Sequence, residues 1–431
     1  MGFNSVSSEE TIFSLEAVRR LALHAQGLST PNGTEPEATR QAIADMVNQL
    51  VCVQIDTLQR VQRSHYLAIW SRFGSFDPSD LDALVYAGGV DTHGENERQL
   101  FEFWFHAACL LPLSEYRFRN QRMLSARNGR GERQRKWLAM DENQRRLREV
   151  YARIEQEGAL MARDFDSSTG GGGTWWNWKP AKSALEHLFS RGDLMIADRV
   201  NFQRVYDLAD RVLPEWVDRS DPGAELTTRH VLERSMLAIG VCAENQLADY
   251  CHDFQRSRIS NQIEKLIEAG VFQRIRARLQ DGELHTLIVH RDAYDDLLRC
   301  ADGDIKAERT TFLNPFDTLF YPGGRDEQFW GFRQVLEAYK PADKRIWGYY
   351  CLPILHRSEL IGRFDPRLDR KTKRLHLEAL YLQPETKLTA RGVKDIAAAM
   401  RDFMRFHDAQ ELVIEQSRPR DFGARLKSSL G

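Results

Sequence analysis

The feature that most constrains this chain is a helical segment that ends at glycine and leads directly into two strand-like runs. Residues 258–270, RISNQIEKLIEAG, show helical spacing and a terminal glycine. Residues 271–290, VFQRIRARLQDGELHTLIVH, then alternate on both sides of Asp281-Gly282, a dipeptide that favours a two-residue hairpin. Two further helical patterns precede them within residues 227–254. Three helices followed by a hairpin predict a winged-helix unit.

The same order of elements occurs twice more along the chain. Residues 180–192 begin with proline and end with glycine, as helices often do, and residues 193–208 alternate as a strand pair. Nearer the N-terminus, a helix predicted over 38–50 leads into a strand at 51–58, which is the second half of such a unit. The sequence therefore predicts an α+β fold with three tandem winged-helix units, an arrangement typical of nucleic-acid binding.

The C-terminal residues have a different pattern. Strand-like runs joined by turns fill residues 345–383, an amphipathic helix covers 390–407, and a strand follows at 411–416. This order predicts a small mixed α/β domain. Four domains are predicted. Residues 1–116 form the first winged-helix unit with the strand at 51–58, and residues 117–214 form a basic helical segment with the second unit. Residues 215–300 form the third unit, and residues 301–431 form the mixed domain.

A formal net charge of −2 hides two strongly basic segments. Residues 117–153 contain 12 lysines and arginines against 4 acidic residues, and residues 340–374 contain 10 against 4. Basic segments in a nearly neutral chain favour a surface for a polyanion. Ordinary solvated helix charge is the alternative for 117–153.

The cysteine pattern and the absence of long apolar runs restrict the class of protein. The six cysteines are scattered and form no C-x-x-C pair, which predicts a reduced cytosolic protein and disfavours zinc fingers and disulfide scaffolds. The sequence shows no signal-peptide pattern and no apolar run near the ~18 residues of a membrane-spanning helix. No cluster of His, Cys and Asp has metal-ligand spacing, so we expect no metal and no cofactor.

Two polar residues interrupt the apolar run VCVQIDTL at 51–58. Strand alternation places Val51 and Val53 on one face and Gln54 and Asp56 on the other. Because a buried carboxylate without a partner is costly, Asp56 is expected to face a solvated cleft or to have a dedicated partner. Alone, a Gln-x-Asp tripeptide more often marks a turn or a cap.

The surrounding sequence gives this tripeptide a context. Residues 54–72, QIDTLQRVQRSHYLAIWSR, resemble the signature of the YcaQ/AlkZ-like winged-helix DNA glycosylases. The resemblance runs from about residue 12 to residue 415 and continues in four further stretches, at 100–112, 175–214, 312–320 and 337–371. The Gln-aliphatic-Asp motif is similar to the YcaQ (AlkX) branch, whereas the related antibiotic-resistance branch has Gln-aliphatic-Gln.

This resemblance implies a curved DNA-binding scaffold of winged helices around duplex DNA and a specific chemistry. It implies excision of N7-alkylated purines and unhooking of interstrand crosslinks, with Gln54 and Asp56 at the catalytic positions. The implied partner is double-stranded DNA with alkylated or crosslinked bases, bound by a monomer in the bacterial cytoplasm, at the nucleoid, with no membrane involved. The alternative is a non-catalytic winged-helix regulator, which would not need a carboxylate aimed at DNA. A nuclease is disfavoured, since no acidic metal cluster is visible.

The candidates for direct DNA contact are polar and basic residues next to the motif, at the second predicted helix–hairpin, and on one face of the third hairpin. For His65 a packing role is the alternative, and for the hairpin arginines it is a solvent face. The full set is Arg63, Ser64, His65, Arg72, Lys179, Lys182, Arg199, Arg204, Arg274, Arg276 and Arg278.

The lysine distribution bears on the reaction type. The first lysine of the chain is Lys136, far in sequence from Gln54 and Asp56. Glycosylases that cleave the strand attack the sugar with an amine of depressed pKa. The sequence therefore predicts a monofunctional enzyme that uses water and leaves an abasic site.

Overall fold

The protein, described by a computed structural model, is an α+β molecule, as the sequence predicts. The structure describes residues 11–86, 98–165, 178–251 and 256–431. Within these ranges, the side chains of residues 178–180 and 256–258 are outside the description.

Helices and strands are numbered in chain order. The helices are α1 Leu15–Ala25, α2 Arg40–Leu50, α3 Ser64–Phe73, α4 Pro78–Val85, α5 Asn120–Arg127, α6 Glu132–Leu138, α7 Asp141–Glu157, α8 Trp178–Ser190, α9 Ala209–Val212, α10 Ala224–Ile239, α11 Glu244–Cys251, α12 Arg256–Glu268, α13 Tyr294–Asp302, α14 Arg325–Trp330, α15 Ala390–Phe406 and α16 Arg420–Leu430. The strands are β1 Ile12–Phe13, β2 Val53–Gln54, β3 Leu100–Trp104, β4 Ala108–Pro112, β5 Leu160–Met161, β6 Leu194–Val200, β7 Gln203–Leu208, β8 Val241–Cys242, β9 Phe272–Arg278, β10 Leu284–His290, β11 Thr310–Phe312, β12 Leu352–His356, β13 Glu359–Asp369, β14 Arg374–Leu382, β15 Glu411–Ile414 and β16 Ser417–Arg418.

The chain forms two compact units, each assembled from separated segments. The first unit comprises Met1–Ala38, Gln49–Phe76 and Leu232–Gly431, and the second comprises Thr39–Asn48 and Asp77–Val231. The domain boundaries at 116, 214 and 300 stay a prediction.

The second unit contains the helix–glycine–hairpin predicted for residues 180–208. Helix α8 is followed by Gly192, whose φ of 77° lies in the left-handed region that glycine favours. Strands β6 and β7 then pair antiparallel, and β5 adds to β7 through Leu160 and Tyr206. Strands β3 and β4 form another antiparallel hairpin in this unit.

The hairpin predicted around Asp281-Gly282 lies in the first unit. Strands β9 and β10 pair antiparallel on either side of this turn, where Gly282 has a φ of 80°. Strand β8 pairs with β10, and β1 joins β9 in parallel, giving the order β1-β9-β10-β8. Helices α10, α11 and α12 precede the hairpin as predicted, and the short strand β8 is an addition that the sequence analysis did not predict. The count of three winged-helix units stays a prediction.

A larger sheet and one aromatic core complete the first unit. The sheet has the order β11-β12-β13-β14-β15, with β16 also paired to β14. The rings of Phe312 and Phe364 meet edge to face at 4.8 Å, and Trp70 stacks on Phe312 at 5.8 Å. Trp70 also donates a hydrogen bond to Asp402 Oδ2 at 2.9 Å. Helix α3, which follows the Gln-Asp motif, is therefore fixed to the C-terminal sheet.

Candidate active site

The segment with the Gln-Asp motif is a short strand with strained backbone at its start. Only Val53–Gln54 is extended as strand β2. Val51 has a φ of 65°, a left-handed conformation that β-branched residues rarely adopt. All residues from Val51 to Ile55 are buried. The strand is therefore shorter than the predicted 51–58, and both faces of residues 51–55 are covered.

Two hydrogen bonds hold Gln54 in place. The Tyr321 hydroxyl donates to Gln54 Oε1 at 3.1 Å, and the Ser64 hydroxyl donates to the Gln54 backbone carbonyl at 2.7 Å. Tyr250 packs on Tyr321 with ring centroids 5.5 Å apart and donates to the Leu50 carbonyl at 2.8 Å. In the part of the chain that the structure describes, Gln54 Nε2 has no hydrogen-bond partner. This amide can therefore donate to a group from outside the protein.

Asp56 ends the segment as a partly buried carboxylate. Its Oδ1 accepts a hydrogen bond from the Leu58 N–H at 2.8 Å, which forms a local turn. Arg63 closes the same loop by donating to the Thr57 carbonyl at 3.4 Å. Within the described ranges, no cation pairs with Asp56. Burial raises the pKa of the Asp56 carboxyl, and the N–H groups of Leu58 and Thr57 only partly oppose this effect.

Two tyrosines that the sequence analysis did not single out belong to this site. Tyr321 holds Gln54, and Tyr350 lies near enough to Asp56 for its charge to raise the pKa of the buried phenol further, beyond the effect of burial itself. The signal that could have found them is their position: Tyr321 directly follows the stretch at 312–320, and Tyr350 lies within 337–371.

Three of the residues predicted to contact DNA near the motif are instead buried parts of the fold. Ser64 is 1% exposed and bonds to Gln54, while His65 is 4% exposed. Arg72 forms a buried ion pair with Asp317, with 2.9 Å between Nη2 and Oδ1. The structure gives these three side chains places within the fold, and a direct DNA contact by them stays a prediction.

Two of the predicted DNA contacts on the second hairpin also have partners within the fold. Glu102 on β3 is fully buried and accepts hydrogen bonds from Arg199 Nη2 at 2.7 Å and Arg204 Nε at 2.6 Å. Arg204 also bonds to Glu186 at 3.0 Å. The two arginine side chains are only 11% and 14% exposed. They fix the hairpin within its unit, and their predicted role in binding DNA stays a prediction.

The other basic candidates are at the surface or outside the described side chains. Arg63 is partly exposed, and Lys182 is exposed on α8. Lys182 lines a groove of about 1330 Å³ together with Arg130, Arg133 and Lys136. Lys179 lies outside the described side chains. A DNA contact by these residues stays a prediction.

The alternating arginines of β9 lie as the sequence predicts. Arg274 and Arg278 are exposed and Arg276 is partly exposed, while the intervening Ile275 and Ala277 are buried. Arg274 is bound to two acidic side chains, Glu244 at 3.0 Å and Glu264. The arginine face is real, and its contact with DNA stays a prediction.

Among the described residues, no group of three or more His, Cys, Asp or Glu side chains could hold a metal ion. No described helix is long and apolar enough to cross a membrane.

Two comparisons relate this chain to known proteins. The family model named DNA glycosylase AlkZ-like matches residues 47–406, a range that includes Gln54, Asp56 and both tyrosines. Among solved structures, the chain is similar to the DNA glycosylase AlkZ of Streptomyces sahachiroi, with a TM-score of 0.62 and 15% sequence identity. The match covers 94% of this chain and 100% of that chain, and at this identity it shows a shared fold. Because the family model spans most of its length, the chain belongs to the AlkZ-like family of DNA glycosylases.

Proposed function

We propose that this DNA glycosylase hydrolyses the N-glycosidic bond of N7-alkylated purines and unhooks the interstrand crosslinks that such lesions form. The observation that carries the proposal is the pair at 54–56. The side-chain oxygen of Gln54 accepts a hydrogen bond from Tyr321, and its side-chain NH₂ group remains able to donate. Asp56, two residues later, is a carboxylate that no described cation neutralises.

The chemistry of an N7-alkylated purine fits a site with one carboxylate. Alkylation gives the base a positive charge, so it leaves without being protonated by an acid. The deoxyribose then develops oxocarbenium character, and a nearby carboxylate stabilises that charge. Asp56 takes this role and accepts the proton of the attacking water. Gln54 Nε2 is placed to donate a hydrogen bond to water or to the sugar.

The surroundings of Asp56 favour this use. A carboxylate removed from bulk water interacts more strongly with a cation than an exposed one does. Because no described arginine or lysine is paired with it, the negative charge is not already compensated before DNA binds. The carboxylate therefore stabilises the transition state more than the ground state, which is the requirement for catalysis.

A water nucleophile, and hence a monofunctional enzyme, is part of the proposal. In the described part of the chain, no lysine bonds to Gln54 or Asp56. An amine that attacked the sugar would need to lie at this site with a depressed pKa. We also propose that the enzyme acts as a monomer on double-stranded DNA in the bacterial cytoplasm, at the nucleoid.

The exposed cations are the proposed contacts to the DNA backbone. The groove lined by Lys182, Arg130 and Arg133, and the arginine face of β9, each present positive charge at the surface. Such contacts fix the position of a duplex without reading its sequence.

The test uses a duplex with a single N7-methylguanine. Excision is expected to leave an intact strand that breaks only after alkali, with no covalent adduct trapped by borohydride. A second duplex with a defined N7 crosslink is expected to separate into single strands on a denaturing gel. An undamaged duplex is the control. If neither lesion is released, the proposed substrate class is wrong, and strand cleavage before alkali would exclude the water mechanism.

A further inference from the structure

The loop at residues 337–348, called here the exposed loop, carries the two most exposed large apolar side chains among the described residues. Tyr339 is 78% exposed and Ile346 is 70% exposed. Single apolar side chains at a surface are common, so exposure alone assigns no role to them. This loop differs from such cases because its backbone is fixed, it is rich in cations, and it lies against the segment that carries Asp56.

A buried carboxylate fixes the backbone of the exposed loop. Glu337 is buried, and its Oε2 accepts hydrogen bonds from the N–H groups of Ile346 at 2.9 Å and Trp347 at 2.7 Å. Its Oε1 accepts a hydrogen bond from Lys340 Nζ at 2.9 Å. Arg345 Nε donates to the Lys340 carbonyl at 3.0 Å, which joins the two arms of the loop. The Ile346 side chain therefore projects into solvent from a backbone that is held on both sides.

The exposed loop lies against the loop that follows Asp56. The guanidinium of Arg60, four residues after Asp56, lies over the Tyr349 ring at 5.3 Å from its centroid. The guanidinium of Arg345 lies over the same ring at 4.9 Å. Leu58, whose N–H binds Asp56 Oδ1, packs with Tyr349 on one hydrophobic core. A duplex bound with one nucleotide at Asp56 therefore lies beside the exposed loop.

The charge of the exposed loop favours DNA as its partner. Three cations, Lys340, Lys344 and Arg345, lie within it. Of its two acidic residues, Glu337 is buried and only Asp343 is exposed. Among the described residues, no acidic side chain forms an ion pair with Lys344. Apolar side chains next to cations match a partner with an anionic backbone and apolar base faces.

We propose that the exposed loop is a wedge that inserts Ile346 into the DNA beside the damaged nucleotide and unstacks it, while Lys344 contacts a flanking phosphate. The inference rests on the proposed function and concerns how the lesion reaches Asp56. Tyr339, on the other arm, provides a second apolar contact with the opened bases. Apolar side chains of this kind unstack base steps in proteins that kink DNA. Opening the stack is a common requirement for an enzyme that acts on one nucleotide within a duplex.

The test compares Ile346→Ala with Leu298→Ala, which also removes an exposed aliphatic side chain. Leu298 lies on α13, whose first turn carries Asp295 and Asp296, so it is a poor candidate for a DNA contact. Single-turnover excision of N7-methylguanine from a fully paired duplex is expected to slow by about 10- to 100-fold in Ile346→Ala, because unstacking a base step is costly without the wedge. Leu298→Ala is expected to match the wild type.

A lesion that is already easier to unstack separates a wedge from a general loss of activity. N7-methylguanine opposite an abasic site has no base-pair partner, so its extrusion costs less. This duplex is expected to restore most of the rate that Ile346→Ala loses on the paired duplex. Equal slowing on both duplexes would overturn the wedge.

A second readout requires binding and not excision. A 2-aminopurine placed next to the lesion becomes more fluorescent when it is unstacked, and an Asp56→Asn background keeps the lesion in place. Saturating protein is expected to raise the fluorescence, Leu298→Ala to leave that rise intact, and Ile346→Ala to abolish it while still binding. If the wild type excises but Ile346→Ala gives the same rise, the inference is wrong. If the wild type excises no lesion, the proposed function is wrong, and the fluorescence alone decides the inference: no rise overturns it.

Conservative substitution controls for folding and for shape. Ile346→Leu keeps the apolar volume, so it is expected to retain both excision and the fluorescence rise. A loss as large as that of Ile346→Ala would overturn the wedge, because apolar volume is what the role requires. Lys344→Ala is expected to reduce the slope of log K against log salt by about 1, and an unchanged slope would overturn the phosphate contact.

Discussion

Asp56, which follows strand β2, and Glu102, which lies on strand β3, are both carboxylates shielded from water, but their surroundings are opposite. Burial alone raises the pKa of Glu102, yet Arg204 and Arg199 outweigh it and hold the pKa below its usual value. Burial also raises the pKa of Asp56, and only two backbone N–H groups oppose it. The paired carboxylate stabilises a hairpin, whereas the carboxylate without a cation is kept at a cost to the fold. That cost is understandable where the charge is needed for a reaction.

The largest effect is expected from removing the charge of Glu102. Glu102→Gln leaves the largely buried Arg199 without its counter-ion and leaves Arg204 with Glu186 alone, so it should lower the free energy of unfolding by about 3–5 kcal/mol. The excision rate per folded molecule should change little. Denaturant unfolding followed by fluorescence measures the first quantity, and active-site-normalised turnover measures the second.

A matched control for Glu102→Gln is Glu149→Gln. Glu149 pairs with Arg145 on α7 at 3.5 Å, and both side chains are exposed, so its loss should cost at most about 1 kcal/mol. If the two variants are equally stable, the ion pairs of Glu102 with Arg199 and Arg204 do not stabilise the second unit as the geometry indicates.

The opposite pattern is expected for Asp56→Asn. Removing a carboxylate aimed at the developing positive charge should slow excision by about 10²- to 10³-fold. Stability should be unchanged or slightly higher, because a desolvated charge without a cation is lost, and affinity for undamaged duplex should be equal or higher. Single-turnover excision, thermal unfolding and a binding titration measure the three quantities. Wild-type excision by this variant would remove Asp56 from the reaction.

The two carboxylates should also respond to pH with opposite sign. Because the folded pKa of Glu102 lies below its unfolded value, the stability it provides is lost as the pH falls from the unfolded pKa through the folded one. Because the folded pKa of Asp56 is raised, its protonation favours the folded state, and its contribution to stability decreases as the pH rises through the same acidic range.

Excision should therefore rise with pH along an acidic limb, since only ionised Asp56 is active, and that limb should lie above the usual range of an aspartate. Single-turnover rates across the acidic range, on protein shown to be folded at each pH, measure it. A rate independent of pH throughout this range would contradict the role of the Asp56 carboxylate.

The smallest effect concerns the cations, where exposed Lys182 contrasts with the buried arginines around Glu102. Lys182→Ala should weaken duplex binding about equally for all sequences and reduce the slope of log K against log salt by about 1. Lys427, which is exposed on α16, provides the control as Lys427→Ala, with no change expected. An unchanged slope in Lys182→Ala would remove the groove from the DNA contact surface.

Local patterns predicted much of this protein because they depend on neighbours in sequence. The hairpin at Asp281-Gly282 and the glycine end of α8 follow from turn and capping preferences, and the structure has both. The pair Gln54 and Asp56 was found because two polar residues in an apolar run need an explanation. The length of that strand was mispredicted, since nothing in the sequence indicates the left-handed backbone of Val51.

The sequence did not predict ion pairs between residues that are distant in sequence. Arg72 was expected to bind phosphate, but its carboxylate partner is Asp317. Glu102, the partner of Arg199 and Arg204, likewise lies on a separate strand. The sequence alone does not distinguish an arginine that binds DNA from one that pairs with a buried carboxylate, because the partner is determined by the tertiary fold.

The hydrogen bond between Tyr321 and Gln54 has a consequence for the timing of biosynthesis. A nascent chain that has emerged up to Cys300 already contains Gln54 and Asp56, but it lacks Tyr321, Tyr350 and the sheet on which α3 packs. Since domains begin to fold as they leave the ribosome, the earlier segments can become compact while Gln54 and Asp56 are still without these supports. The hydrogen bond that holds the Gln54 side chain can therefore form only after Tyr321 has been synthesised, and a product that ends at Cys300 lacks it.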